Sequence, residues 1–167
     1  MSRSMFDDLD ATPSGAMDAA DSRTLRLSAH PLTAEELEGL LRYQETFLSR
    51  MEGPGGGPGA VADAHQAGLE ASGLDVKRLE LGTVLLRAYA GQRWTAGQLR
   101  TRLAALGAGT DEASREKAAR VRTELRRLDD LEPLARRHGQ ASLDLLAPHE
   151  DRLVALHARM QKVLTRP

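Results

Sequence analysis

The chain has 167 residues, of which 41% are hydrophobic but only 3% aromatic, and 23 basic and 24 acidic residues give a net charge of −1. This length predicts one folded domain plus a tail, and the abundance of Ala, Leu, Arg and Glu predicts an all-α fold with an aliphatic core. The chain has no cysteine, which excludes disulfides, thiolate catalysis and Cys-ligated metals and favours a reducing, cytoplasmic location.

Residues 1–30 are predicted to form a disordered acidic tail, because Ser, Asp, Ala and Gly dominate there and few apolar residues could be buried. Met5, Phe6 and Leu9 interrupt this composition beside Asp7 and Asp8. One interpretation is a short motif that binds a groove on a partner protein through these three apolar side chains. The other is a tail that keeps a few apolar residues or packs loosely on its own domain.

Residues 31–167 are predicted to form a single helical bundle domain. Thr33 and Glu36 form a capping-box pattern that starts the first helix, flanked by Leu32 and Leu37 as a hydrophobic staple. A stripe at helical spacing indicates its buried face: Leu37, Leu40, Leu41, Gln44, Phe47, Leu48 and Met51. The Gly/Pro-rich segment 53–59 is predicted to be a flexible loop, because no preceding strand or following Lys-Ser supports a phosphate-binding loop.

The next segment, 60–72, predicts a weak helix with one face formed by Val61, Ala64, Gly68 and Leu69. The helix 74–94 is apolar around most of its circumference, so it is predicted to be central and buried on several sides. Thr95 with Gln98 repeats the capping-box pattern and predicts a separate helix that bears Leu99, Leu103 and Leu106 and ends at Gly107.

The last two predicted helices form a long C-terminal helical hairpin. The first is expected to be the longest helix, capped by Thr110, kinked at Pro133 and ending at His138. The second follows from Ser142, where residues three and four apart form a coiled-coil-like seam: Leu146, His149, Leu153, Leu156, Met160 and Val163. Short connections then predict an antiparallel up-and-down bundle of five to six helices.

Charge is unevenly distributed along the predicted bundle. Residues 77–102 contain six bases and one acid, whereas residues 33–52 contain two bases and five acids. One interpretation is that the acidic first helix packs beside the basic pair of helices. The other is a surface for an anionic partner, with Arg87, Arg93, Trp94 and Arg100 as the candidate anion-binding residues.

The five histidines do not predict a metal site, because none follows a Glu by three residues and no His-Glu-x-x-His pattern occurs. His149 occupies a seam position, and His157 is expected to lie opposite Glu124 across the hairpin. Both are candidate pH-sensitive residues, although a plain surface ion pair is the preferred interpretation for His157. No motif predicts a catalytic residue or a cofactor site.

These observations predict a non-enzymatic adaptor or regulatory subunit that binds another protein or associates with itself through the final seam. The alternatives are a weak nucleic-acid or anionic-ligand binder that uses residues 77–102, and an enzyme or small-ligand carrier with a pocket between helices. The sequence contains no run of about 18 apolar residues, so no membrane span is predicted. Two short patterns, Leu41-Arg42-Tyr43-Gln44 and Arg137-His138-Gly139, resemble segments of all-helical bacterial proteins rich in Ala, Leu and Arg, and this resemblance implies no activity.

Overall fold

The computed structural model describes residues 31–53 and 56–166. The predicted acidic tail 1–30, with its candidate partner-binding residues Met5, Phe6 and Leu9, lies outside the described residues. So do positions 54 and 55 of the predicted loop 53–59.

The predicted all-α class is confirmed, since the described residues form helices and no strand. Five helices have 13 residues or more and two have seven. In chain order they are α1 Ala34–Glu52, α2 Ala60–Ser72, α3 Val76–Leu106, α4 Glu112–Asp129, α5 Glu132–His138, α6 Gln140–Leu146 and α7 Glu150–Leu164, with a 3₁₀ turn at Ala147–His149. None of the helices in the described ranges is both long and apolar enough to cross a membrane.

Helix α1 begins where its capping box predicts. The Thr33 hydroxyl oxygen accepts a hydrogen bond from the Glu36 N–H at 3.1 Å, which satisfies one of the unpaired donors at a helix start. The predicted face of α2 is wrong in part, because Val61 is 55% exposed and Ser72 is buried instead. The buried face of α2 consists of small residues, which allows it to pack closely against α1.

Two glycines permit that close approach. A Cβ at Gly39 would lie 2.7 Å from the Ser72 carbonyl oxygen, and a Cβ at Gly68 would lie 2.7 Å from the Tyr43 ring. Arg42 adds a hydrogen bond from its Nε to the Ala71 carbonyl at 3.1 Å. Low-numbered residues of α1 therefore meet high-numbered residues of α2, so the two helices run antiparallel.

The predicted break at Thr95 is wrong, because α3 continues without interruption from Val76 to Leu106. The Thr95 hydroxyl donates to the Gly91 carbonyl at 2.8 Å, so it is satisfied within the helix and does not cap a new one. The next residue, Ala96, is fully buried against α4. Packing along the second half of α3 thus sustains a helix that local signals alone would divide.

The predicted kinked helix 110–138 is also wrong. Helix α4 runs from Glu112 to Asp129 with Asp111, rather than the predicted Thr110, as its N-cap, and a separate short helix α5 follows. Pro133 lies in the first turn of α5, where its missing N–H is not needed. The proline therefore starts a helix here, and the chain changes direction before it.

The predicted long C-terminal hairpin does not form. Helix α4 packs mainly on α3, whereas α7 packs against both α1 and α3. The ion pairs Glu45–Arg152 and Glu52–Arg159 connect successive positions of α1 and α7, and Glu36–Arg78 with the Leu40–Gly82 contact does the same for α1 and α3. Three helices of the core, α1, α3 and α7, therefore run in the same direction.

The chain has two hydrophobic cores in its described part. The larger one joins α1, α2, the first half of α3 and α5–α7, and we call this region the bundle. The smaller one lies between the second half of α3 and α4, and we call residues 95–129 the arm. The arm core consists of Ala96, Val121, Leu125 and Leu128, with the half-buried Leu99, Leu103 and Leu106 at its edge.

Candidate functional site

Arg93 links the bundle and the arm at their junction. Its side chain is only 13% exposed and lies 3.1 Å from the Asp129 carboxylate of the arm and 3.0 Å from the Glu150 carboxylate of the bundle. Tyr89 also donates its hydroxyl to Glu150, at 2.9 Å. Burial, followed by this hydrogen bond to a carboxylate, raises the pKa of Tyr89 to about 12, so the hydroxyl keeps its proton and remains a donor.

The structure does not gather the four candidate anion-binding residues on one surface. Arg93 and Arg100 both pair with Asp129, and the hydrogen bond from Arg100 is the largest cause of the lowered pKa of that carboxyl group. Trp94 lies against His157, with ring centroids 5.4 Å apart. Arg87 is exposed on the bundle and makes no ion pair with any residue that the structure describes.

A different set of cations surrounds a groove near the tip of the arm. This groove has a volume of about 470 Å³ and is lined by Arg102, Leu106, Lys117, Arg120 and Val121. Within the described part of the chain, Arg102 and Lys117 make no ion pair, and Arg120 has only a 4.0 Å contact with Glu116. The sequence prediction included Arg102 in the basic segment but did not select it, because the contribution of α4 requires knowing that α3 and α4 pack together.

The helical pattern of the arm explains why apolar side chains remain accessible beside these cations. Val121, Leu125 and Leu128 of α4 are spaced three and four apart and face α3. On α3, however, Leu103 and Leu106 are covered by α4 alone and stay half-exposed. A two-helix unit therefore keeps an open apolar strip next to its positive charges.

The predicted contact between His157 and Glu124 is wrong. His157 lies beside Trp94, and burial, followed by the nearby Arg87, lowers its pKa. Glu124 lies on the arm, where it pairs with Arg127 of its own helix. The contact fails because α4 and α7 do not form the expected hairpin.

The other candidate pH-sensitive residue, His149, is half-buried in the 3₁₀ turn before α7. The structure adds His138, which is only 4% exposed and whose pKa burial lowers. The sequence predicted His138 as the last residue of a helix, after Arg136 and Arg137, and no sequence signal pointed to its burial.

Among the described residues, no group of three or more His, Asp or Glu side chains is arranged to hold a metal ion. Comparison of the chain with protein-family models, with curated proteins and with solved structures finds no match. The side chains of the arm and the bundle are thus the basis for assigning a function.

Proposed function

We propose that this chain is a non-enzymatic adaptor or regulatory subunit whose arm binds an acidic, amphipathic helix of a partner protein. The groove at the arm tip supports the proposal most directly, because Arg102, Lys117 and Arg120 lie beside Leu106 and Val121 without strong carboxylate partners in the described part of the chain. A cytoplasmic setting belongs to the same proposal, since a chain without cysteine suits a reducing compartment.

The apolar strip of the arm favours a helix as the bound element. Leu99, Leu103 and Leu106 follow one another at spacings of four and three residues and are half-buried. A third helix laid along this strip would cover them in the way that helices fill hydrophobic grooves. Each leucine that becomes fully buried contributes on the order of 1 kcal/mol or more.

The charge of the arm favours an acidic partner over a second copy of the chain. Residues 95–129 contain eight basic and five acidic residues, so two arms brought together would repel each other. Carboxylates on the rim of a partner helix would instead pair with Arg102 and Lys117. Self-association through the predicted seam is not part of the proposal, because Leu146, Leu153 and Leu156 are already buried in the chain's own bundle.

Nucleic acid is the second candidate partner, and the excess of basic residues in the arm favours it. Two features favour protein instead. Arg93 and Arg100 are already neutralised by carboxylates, and the floor of the arm groove is formed by Leu106 and Val121 rather than by aromatic rings on which bases could stack.

The test is affinity capture from a lysate of the organism that makes the protein, with and without nuclease, read by mass spectrometry. The full-length chain is compared with an arm variant, Arg102→Gln with Lys117→Gln and Arg120→Gln. The matched control carries Arg50→Gln, Lys162→Gln and Arg166→Gln, which remove three exposed cations of the bundle. Its net charge is therefore the same as that of the arm variant.

We expect a defined protein to be captured by the full-length chain and by the control, with or without nuclease, and lost by the arm variant. The same proteins recovered with all three forms would contradict binding by the arm. Recovery that disappears with nuclease would replace the protein partner by nucleic acid.

A further inference from the structure

A second groove lies on the bundle, away from the arm, where α1, α3 and α7 meet. Its volume is about 370 Å³, equal to about twelve molecules of liquid water at roughly 30 Å³ each. This size falls within the range of about 300 to 1,000 Å³ that is typical of small-molecule sites. A groove of this size suits a small ligand.

The floor of the bundle groove is apolar and belongs to the main core. Phe47 from α1, Leu86 from α3 and Leu156 from α7 line it, and all three are buried. Met160 also lines the groove and is half-buried. Because the three helices supply one wall each, the bundle itself holds this cavity in shape.

In the part of the chain that the structure describes, the rim carries one cation without an ion-pair partner, together with neutral polar groups. Arg87 is exposed at the rim and has no ion-pair partner among the residues that the structure describes. His157 and Gln161 also line the rim, with a His157 Nε2 to Gln161 Nε2 distance of 3.5 Å. The lowered pKa of His157 keeps its ring neutral near pH 7, so the ring can donate or accept a hydrogen bond.

The carboxylates of the surrounding helices do not compete for Arg87. Glu45 and Glu52, on the α1 edge that faces α7, are held by Arg152 and Arg159. An anionic group that enters the groove therefore finds an unpaired guanidinium and no unpaired carboxylate among the lining residues.

We propose that the bundle groove binds a small amphipathic carboxylate. The carboxylate lies on the Arg87 guanidinium and within reach of His157, and the hydrocarbon chain lies along Phe47, Leu86 and Leu156. Arginine matches the geometry of a carboxylate with two parallel donors, and the apolar floor gains from covering a chain of methylene groups. This site is separate from the arm and does not depend on the adaptor proposal.

The chain contains a natural reporter for this test. Trp94 is its only tryptophan, and its ring lies 5.4 Å from that of the groove residue His157. The intrinsic fluorescence of the full-length protein is titrated with octanoate and, in parallel, with octan-1-ol, which has the same chain without the charge. A charge-assisted hydrogen bond is stronger than a neutral one, although solvent screens it at an exposed arginine, so we expect octanoate to bind about fivefold to tenfold more tightly.

Three variants locate the site. In Arg87→Gln we expect octanoate affinity to fall to that of octan-1-ol, which itself does not change. In Thr83→Tyr, which fills part of the groove from α3, we expect both ligands to lose affinity, with folding checked by circular dichroism. Arg122→Gln, which removes an exposed cation that lines neither groove, serves as the control and should bind like the unmodified chain.

Two results would overturn the proposal. One is the absence of a saturable fluorescence change with either ligand. The other is equal affinity for octanoate and octan-1-ol in the unmodified chain, with no effect of Arg87→Gln. Neither result bears on capture by the arm, so the two proposals fail independently.

Discussion

The two halves of α3 carry similar leucine patterns but meet different surroundings. In the bundle half, Leu79, Leu85 and Leu86 are buried because α1, α7 and neighbouring segments cover the helix from several sides. In the arm half, Leu103 and Leu106 stay half-exposed because only α4 covers them. The number of neighbours, rather than the side chains themselves, decides how much apolar surface a helix buries.

The same comparison holds for charge. In the bundle, Glu45 and Glu52 are matched by Arg152 and Arg159 across the interface of α1 and α7. In the arm, Arg102 and Lys117 make no ion pair with a carboxylate in the described part of the chain. A region that leaves both its leucines and its cations unmatched is suited to binding, and a region that matches them is suited to stability.

The largest expected effects are losses of stability on truncating a leucine in each of the two cores. Leu48→Ala removes a side chain that is 0% exposed in the bundle core, and we expect the free energy of unfolding to fall by about 4 kcal/mol. Leu125→Ala removes a side chain from the smaller arm core, and we expect a fall of about 2 kcal/mol. Urea denaturation measures both, and equal losses would argue against a weaker arm core.

Two glycines of α3 sharpen the comparison further. A Cβ at Gly82 would lie 2.5 Å from a methyl carbon of the buried Leu40, whereas a Cβ at Gly97 meets nothing within 4 Å. We expect Gly82→Ala to destabilise the chain by about 2 kcal/mol through overpacking. We expect Gly97→Ala to stabilise it by up to about 1 kcal/mol, because alanine has the higher helix propensity. A shift of the urea midpoint in the same direction for both variants would contradict the difference in packing.

The junction should respond more strongly than an exposed ion pair of the arm. Arg93→Ala leaves Asp129 and Glu150 without their shared partner, and we expect a loss of about 2 kcal/mol after allowing for the partial exposure of both carboxylates. Arg127→Ala removes a solvent-exposed pair with Glu124, and we expect no measurable loss because solvent screens such a pair. If the two losses are similar in thermal unfolding, Arg93 does not anchor the arm.

The smallest effect concerns pH. Burial lowers the pKa of His138 and of His157, both in the bundle. A histidine whose folded pKa is lower than its unfolded value of about 6.5 takes up its proton more readily in the unfolded chain. We therefore expect the stability present above about pH 6.5 to be lost as the pH falls through that value towards the folded pKa.

The control for this pH effect is His138→Gln, which should flatten the pH dependence of the free energy of unfolding between about pH 7 and 5.5. The arm has no histidine in residues 95–129. The free energy of its local opening, measured by hydrogen exchange of its amides, should therefore not show the same pH dependence. If the free energy of unfolding of His138→Gln changes with pH as it does in the unmodified chain, His138 does not cause the pH dependence.

Local signals predicted the helices better than they predicted how the helices associate. The N-cap Thr33 and the end of the helix predicted over 60–72, where Gly73 follows with φ of +67°, depend on chemistry within a few residues. The break predicted at Thr95 failed because the same hydroxyl that can cap a helix can also bond to the carbonyl one turn back. The choice between these two depended on the burial of Ala96 against α4, which no local pattern reveals.

The pairing of the last helices failed for a related reason. The seam of Leu146, Leu153 and Leu156 does mark a buried face, as predicted, but it packs against α1 and α3 rather than against α4. Periodicity identifies which face is apolar and carries no information about its neighbour. For the same reason the basic segment 77–102 was visible in the sequence, while the division of its arginines between the junction, the bundle groove and the arm was not.

Hydrogen exchange mass spectrometry of the full-length chain, alone and with the protein that it captures, tests the central claim most directly. Alone, the amides of 99–106 and 115–125 in the arm should exchange faster than those of 79–90 in the bundle. With the partner bound, the arm amides should slow while those of the bundle stay unchanged. Arm amides as protected as the bundle in the unbound chain, or a partner footprint on the bundle, would contradict the assignment of the arm as the binding surface.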